Sequence, residues 1–250
     1  MEYRLVDYAA VVAGYGASLG GWYVVTRARP AWWAAEAPAR FERPRRELLW
    51  AFVAALGVIA LNVAYHRHAL AWLQPRLGRS LAFAASLVIV WSPVLAALVL
   101  RRQGPETCLV SPRGLWKKVA WGVVASAAGV AAFLLVRQGD TTTRLWQALT
   151  APRPLPLFQS LLQFFGFGFL LVRLGAVMGR GRASILCGLL YGLVKFPLYL
   201  GPYGLGWGPA TALVAFSAAV AVAVVYLVYD RQDLVVPAIV HVLMDAVQRS

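Results

Sequence analysis

Apolar stretches long enough to cross a bilayer recur from one end of this chain to the other, and that repetition limits the fold more than any single residue does. Eight can be drawn, at roughly 5–26, 48–65, 81–100, 119–136, 159–179, 184–200, 209–229 and 234–248, the last one short. About 20 apolar residues in a helix match the hydrocarbon thickness of a membrane. Within lipid every backbone N–H and C=O needs an internal partner, which leaves only helices and closed barrels. The alternation of a membrane barrel is absent. The sequence therefore predicts an all-α, polytopic membrane bundle of about eight transmembrane helices. Composition agrees: 60% of the 250 residues are hydrophobic and only 14% charged, with a mean hydropathy of +0.65. A soluble domain is about a quarter charged.

The formal net charge of +14 would suggest nucleic acid in a soluble protein. Here the basic residues fall almost entirely between the apolar runs, where Lys and Arg hold cytoplasmic loops and meet anionic headgroups. The expected environment is a lipid bilayer, with no nucleic-acid partner. Loops after the first, third, fifth and seventh runs carry fourteen Lys and Arg, against eight on the other side. The positive-inside rule then puts both termini on the non-cytoplasmic side. The start, MEYRLVDY, lacks a basic n-region, so the first run reads as a retained helix rather than a signal peptide.

Pro and Gly mark the joins, at Pro30, Pro44, Pro75, Pro112, Pro152 to Pro156, and GPYGLGWGP over 201–209. Residues 27–47 are aromatic at one end and Arg-rich at the other. They suit either an interfacial helix with Trp32 and Trp33 at the boundary or a plain polar loop. Cys108 and Cys187 stand alone, with no Cys-x-x-Cys, so neither a thiolate metal site nor a disulfide framework is implied.

Ionisable groups at membrane depth are costly and need a partner or a purpose. Two stretches of the last third carry them: YGLVKFP (191–197), with Lys195, and AIVHVLMDAV (238–247), with His241 and Asp245. His241 and Asp245 are spaced i, i+4 and share a helix face, so the carboxylate can orient the imidazole, or the two can simply glue helices. Lys195 either snorkels to the interface or pairs with Asp245, and Tyr191 lies one turn before it. Gln163, early in the fifth run, can hydrogen-bond across helices; Arg173, near the other end of that run, is expected to snorkel. His66 and His68 read as headgroup-level residues. One His and one Asp are too few ligands for a metal, and no cofactor is implied.

The order and text of these stretches resemble the CPBP family, the CAAX-protease and bacteriocin-processing proteins, also called glutamic intramembrane proteases. GFLLVRLG (168–175) is similar to the tail of the family's first motif, LLYGLVKFP (189–197) to the second and PAIVHVLMDAV (237–247) to the third. The resemblance covers about 90 residues, from 159 to 248, and implies a CAAX-protease-like core over 151–250 after N-terminal helices and loops over 1–150. It also exposes differences. The motif's two glutamates fall on Leu162 and Gln163, its arginine on Phe167, and its phenylalanine and histidine on Tyr191 and Lys195. Only His241 and Asp245 keep the family's residue types, and the chain has no glutamate after Glu106. In the family a glutamate activates the attacking water; Gln163 cannot take a proton. The resemblance thus implies a remnant or variant site of Gln163, Lys195, His241 and Asp245, with Tyr191 and Phe167 as binding residues. Three functions stand open: an inactive relative that binds a membrane-embedded peptide or protein, an active endopeptidase with a variant site, and a transporter component. The implied location is a bacterial inner membrane.

Overall fold

The computed structural model describes residues 5–29, 33, 39–137, 154–200, 204 and 206–249. Trp32, Pro152 and most of 201–206 lie outside the described residues. Those described form helices and connections, with no strand among them. Leu5–Tyr15 (α1) runs through a π-helical turn, Gly16–Gly20, into Gly21–Ala28 (α2). Then come Pro44–His66 (α3), the short Gln74–Leu77 (α4), Arg79–Leu100 (α5) and Leu115–Arg137 (α6). The last four are Pro154–Met178 (α7), Arg180–Leu200 (α8), Trp207–Arg231 (α9) and Val235–Arg249 (α10).

Helices stand at all eight predicted runs. Five, within α3, α5, α6, α7 and α9, are long and apolar enough to cross a membrane by themselves. The first run is split by its π turn. The helix at the sixth, α8, carries Arg180, Arg182 and Lys195, and the last has only 15 residues. The chain is an integral, multi-pass membrane protein. Its outer side chains fit that solvent: Leu56, Val99 and Leu135 are 66%, 75% and 78% exposed. No hydrophobic force separates such residues from lipid tails, so association relies on close packing and polar contacts.

Close packing is visible where glycines face a neighbouring helix. A Cβ on Gly192 of α8 would sit 2.8 Å from the Val214 carbonyl of α9, and one on Gly129 of α6 would sit 2.8 Å from the Gly14 carbonyl of α1. Tight turns follow the same economy. Gly179, at φ +80°, is the single residue between α7 and α8, a left-handed stop that Gly adopts without a Cβ penalty. Two apolar cores result. One joins α3, α5, α7, α8 and α9 around Phe169, Leu174 and Val228. The other joins α1, α2, α6 and α10 around Trp22, Phe133 and Met244.

Two expectations change. Arg173 does not snorkel: it is fully buried. Its guanidinium donates to the carbonyls of Phe169 (2.8 Å) and Thr107 (3.2 Å) and to Gln103 Oε1, and it covers the Phe169 ring at 3.5 Å. Gln103 in turn donates to Glu47 Oε2 at 2.8 Å, and Arg101 to Glu47 Oε1 at 2.6 Å. The segment after α5 folds over the end of α7 and supplies acceptors in place of headgroups. Trp33, expected at the boundary, is buried edge-on against Trp22, with ring centroids 5.3 Å apart.

Candidate functional site

A cavity of about 520 Å³ opens among α1, α6, α7, α8, α9 and α10. All six residues singled out from the sequence line it: Gln163, Phe167, Tyr191, Lys195, His241 and Asp245. Each arrives by helical periodicity. Gln163 and Phe167 are one turn apart on α7, Tyr191 and Lys195 one turn apart on α8, and His241 and Asp245 one turn apart on α10. The Gly188 and Gly192 face of α8 lies on α9, which holds Tyr191 against Phe167 with ring centroids 5.5 Å apart at 63°.

Polar groups concentrate toward the end where α1 and α7 begin and α8 and α10 finish. Asp7 and Arg137 form an ion pair there at 3.2 Å, and the Tyr199 and Ser217 hydroxyls lie 3.0 Å apart; all four line the cavity. The opposite end is closed. Gly168 lets the Cys108 carbonyl come against α7 where any side chain would collide, and the Leu234 N–H donates to the Leu109 carbonyl at 2.9 Å. Below this floor lies the buried Arg173 network. Burial in it pushes the Cys108 thiol up to about 11, partly offset by Arg173.

Lys195, read from the sequence as either snorkelling or pairing with Asp245, makes a contact within its own helix. The Lys195 ammonium sits over the Tyr191 ring, 5.2 Å from its centroid; a cation on a ring face is attracted by the ring quadrupole. Tyr191 lies one turn earlier on the same helix.

His241 is held from two sides. Tyr15 Oη lies 2.6 Å from its Nδ1, and the Phe164 ring is 4.9 Å away. Tyr15 and the Asp7–Arg137 pair escaped the sequence reading. Asp7 offered a signal, as an acid inside an apolar run. Tyr15 offered none, because its partner is 226 residues away.

Chemically, the cavity is rich in hydrogen-bonding groups but lacks a carboxylate at the position of Gln163. An amide neither gives nor takes a proton near neutrality. Among the described residues no three His, Cys, Asp or Glu side chains cluster to hold a metal.

Comparison with known families matches this part of the chain. Residues 163–247 match the Rce1-like family, described as type II CAAX prenyl endopeptidase Rce1-like. The Rce1-like region starts at Gln163 and ends two residues after Asp245, so it contains every sequence-predicted site residue, whereas Asp7, Tyr15 and Arg137 lie outside it. No curated protein and no solved structure matches the chain.

Proposed function

We propose that this protein binds a membrane-embedded peptide or lipid-modified tail in the cavity and does not cut it. The observation that carries this reading is the pairing of an intact cavity with Gln163 and Leu162 at the acidic positions of the resembled motif. A general base is worth about 10²–10⁴ in rate, and an amide cannot replace it. Of the neighbouring groups, the imidazole Nδ1 is engaged by Tyr15 and the ammonium of Lys195 lies over Tyr191. What remains is a cavity whose walls combine apolar and aromatic side chains with many hydrogen-bonding groups, a concave site able to hold and orient a ligand. The charge bias of the loops supports a non-cytoplasmic mouth, since the polar end lies where α1 begins and α10 finishes.

A second reading keeps the enzyme, with His241 as base and Asp245 as its orienting partner; the i, i+4 spacing of the two favours it. One experiment separates them. The full chain in nanodiscs is given a fluorogenic farnesylated CAAX peptide, with a photoreactive residue at Phe167 to report occupancy. The binding reading expects crosslinking of the peptide with no cleavage above buffer. Cleavage that disappears in His241→Ala and Asp245→Ala would establish the enzyme instead, and absence of both crosslink and cleavage would remove this ligand class.

A further inference from the structure

The residue that sets the state of His241 comes from outside the Rce1-like region. We propose that Tyr15 is a positioning residue of the cavity: its hydroxyl donates to His241 Nδ1 and so fixes the proton of the neutral imidazole on Nε2. This deepens the binding reading by stating which tautomer the imidazole holds within the cavity.

Three independent features of the structure lead to this. The first is distance: 2.6 Å between Tyr15 Oη and His241 Nδ1 is a strong hydrogen bond. A phenol O–H is a better proton donor than a neutral imidazole N–H, so Tyr15 gives and Nδ1 takes. The second is restraint. The imidazole lies between Tyr15, with rings 6.3 Å apart and 29° from parallel, and Phe164, 4.9 Å away at 46°. Contacts from two different helices, α1 and α7, restrict its turning over to exchange one nitrogen for the other.

The third is the backbone beneath Tyr15. It is the last residue of α1, directly before the π-helical turn Gly16–Gly20. Such turns re-aim side chains and concentrate at functional sites. Here the Ser18 hydroxyl donates to the Gly14 carbonyl at 2.7 Å, tying off the acceptor at the entrance to the turn. Gly14 itself presses against Gly129 of α6 and Met244 of α10. Met244 is three residues after His241 on the same helix. The packing that seats α1 therefore also sets the reach from Tyr15 to His241.

The test is a nitrogen spectrum. The chain has three histidines, so ¹⁵N-histidine labelling of the full protein in nanodiscs gives few signals, and His241→Asn assigns the one of interest. At pH 8 the native protein should show a bare Nδ1 and a protonated Nε2. Tyr15→Phe keeps the ring and removes the hydroxyl. The ratio of Nε2–H to Nδ1–H should then fall about fivefold, the equilibrium weight of one net hydrogen bond. Phe164→Leu loosens the other side while leaving the donor, and should hold the native ratio. A protonated Nδ1 in the native protein overturns the proposal. So does a ratio that Tyr15→Phe leaves unchanged, or one that Phe164→Leu shifts as much. The spectrum is read without peptide, so its failure is distinct from a failure of the binding reading.

Discussion

The buried pair that anchors the last helix offers the sharpest test of how this fold is held. Asp233 is fully buried between α9 and α10, and Lys118 of α6 is nearly so, with Nζ 3.4 Å from Asp233 Oδ1. Asp233 Oδ2 also accepts the Val236 N–H at 3.0 Å, capping α10, the helix that carries His241 and Asp245. Burial pushes the Asp233 carboxyl above its ordinary value, although the Val236 N–H and Lys118 both pull it down. Desolvation outweighs attraction here, so the pair contributes little net stability while either member alone is expensive. Asp233→Asn keeps the cap but removes the counter-charge of the ammonium, which also points at the Ser111 carbonyl at 3.5 Å, and should cost about 3 kcal/mol. Lys118→Met strands the carboxylate at similar cost. The double variant should lie within about 1 kcal/mol of the native protein, giving a coupling of several kcal/mol. Protonation adds a second signature. A carboxyl whose folded pKa is raised is favoured protonated in the fold. Its ionisation penalty is absent below the unfolded value of about 3.8 and grows as pH rises through the folded pKa. Lys118→Met should therefore be more stable at pH 5 than at pH 8. Equilibrium unfolding of the full chain in mixed micelles, followed by tryptophan fluorescence, measures all four proteins. Additive single costs, with no recovery in the double variant, would refute this account.

Arg173→Met should destabilise the protein by about 2–3 kcal/mol, because Gln103 and the Thr107 carbonyl lose a charged donor; limited proteolysis should then cut first within 101–111. Gly192→Leu should separate α8 from α9, since its Cβ meets the Val214 carbonyl and Ala218 at 2.8 Å. A cost of about 2 kcal/mol or more is expected, together with loss of crosslinking at Phe167. Cys108, with its thiol pushed up to about 11 and no exposed surface, should react with maleimide at pH 8 far more slowly than an exposed cysteine. Arg173→Met should speed that reaction by opening the floor. Gln163→Glu restores one carboxylate at the cavity wall, and a gain of peptide cleavage in that variant alone would show that the rest of the site remains competent.

Much of this was legible beforehand for identifiable reasons. Helix positions follow from apolar length, a property of contiguous residues. The pairs Gln163 with Phe167, Tyr191 with Lys195 and His241 with Asp245 follow from the i, i+4 geometry of a helix, so their shared faces could be read directly. The resemblance supplied the expectation that these three faces meet, and all six residues line one cavity. Reading failed where a residue's surroundings come from distant segments. Arg173 was expected to snorkel because nothing in its own helix predicts that Gln103 and Thr107 fold over it. Lys195 could be read as snorkelling or as pairing with Asp245, and its place over the Tyr191 ring follows from the rotamer it takes on α8, which the spacing alone does not set.

The sequence by itself determined that this chain lives in a membrane, that it is helical, and that acids are missing from the first motif, because each is written in local composition or identity. The tertiary structure decided the partners: Tyr15 on His241, Arg137 on Asp7, Lys118 on Asp233 and the Cys108 loop beneath Gly168. Hydrogen bonds and ion pairs depend on distances of a few ångströms between residues up to 226 apart in the chain, and only the completed bundle sets those distances.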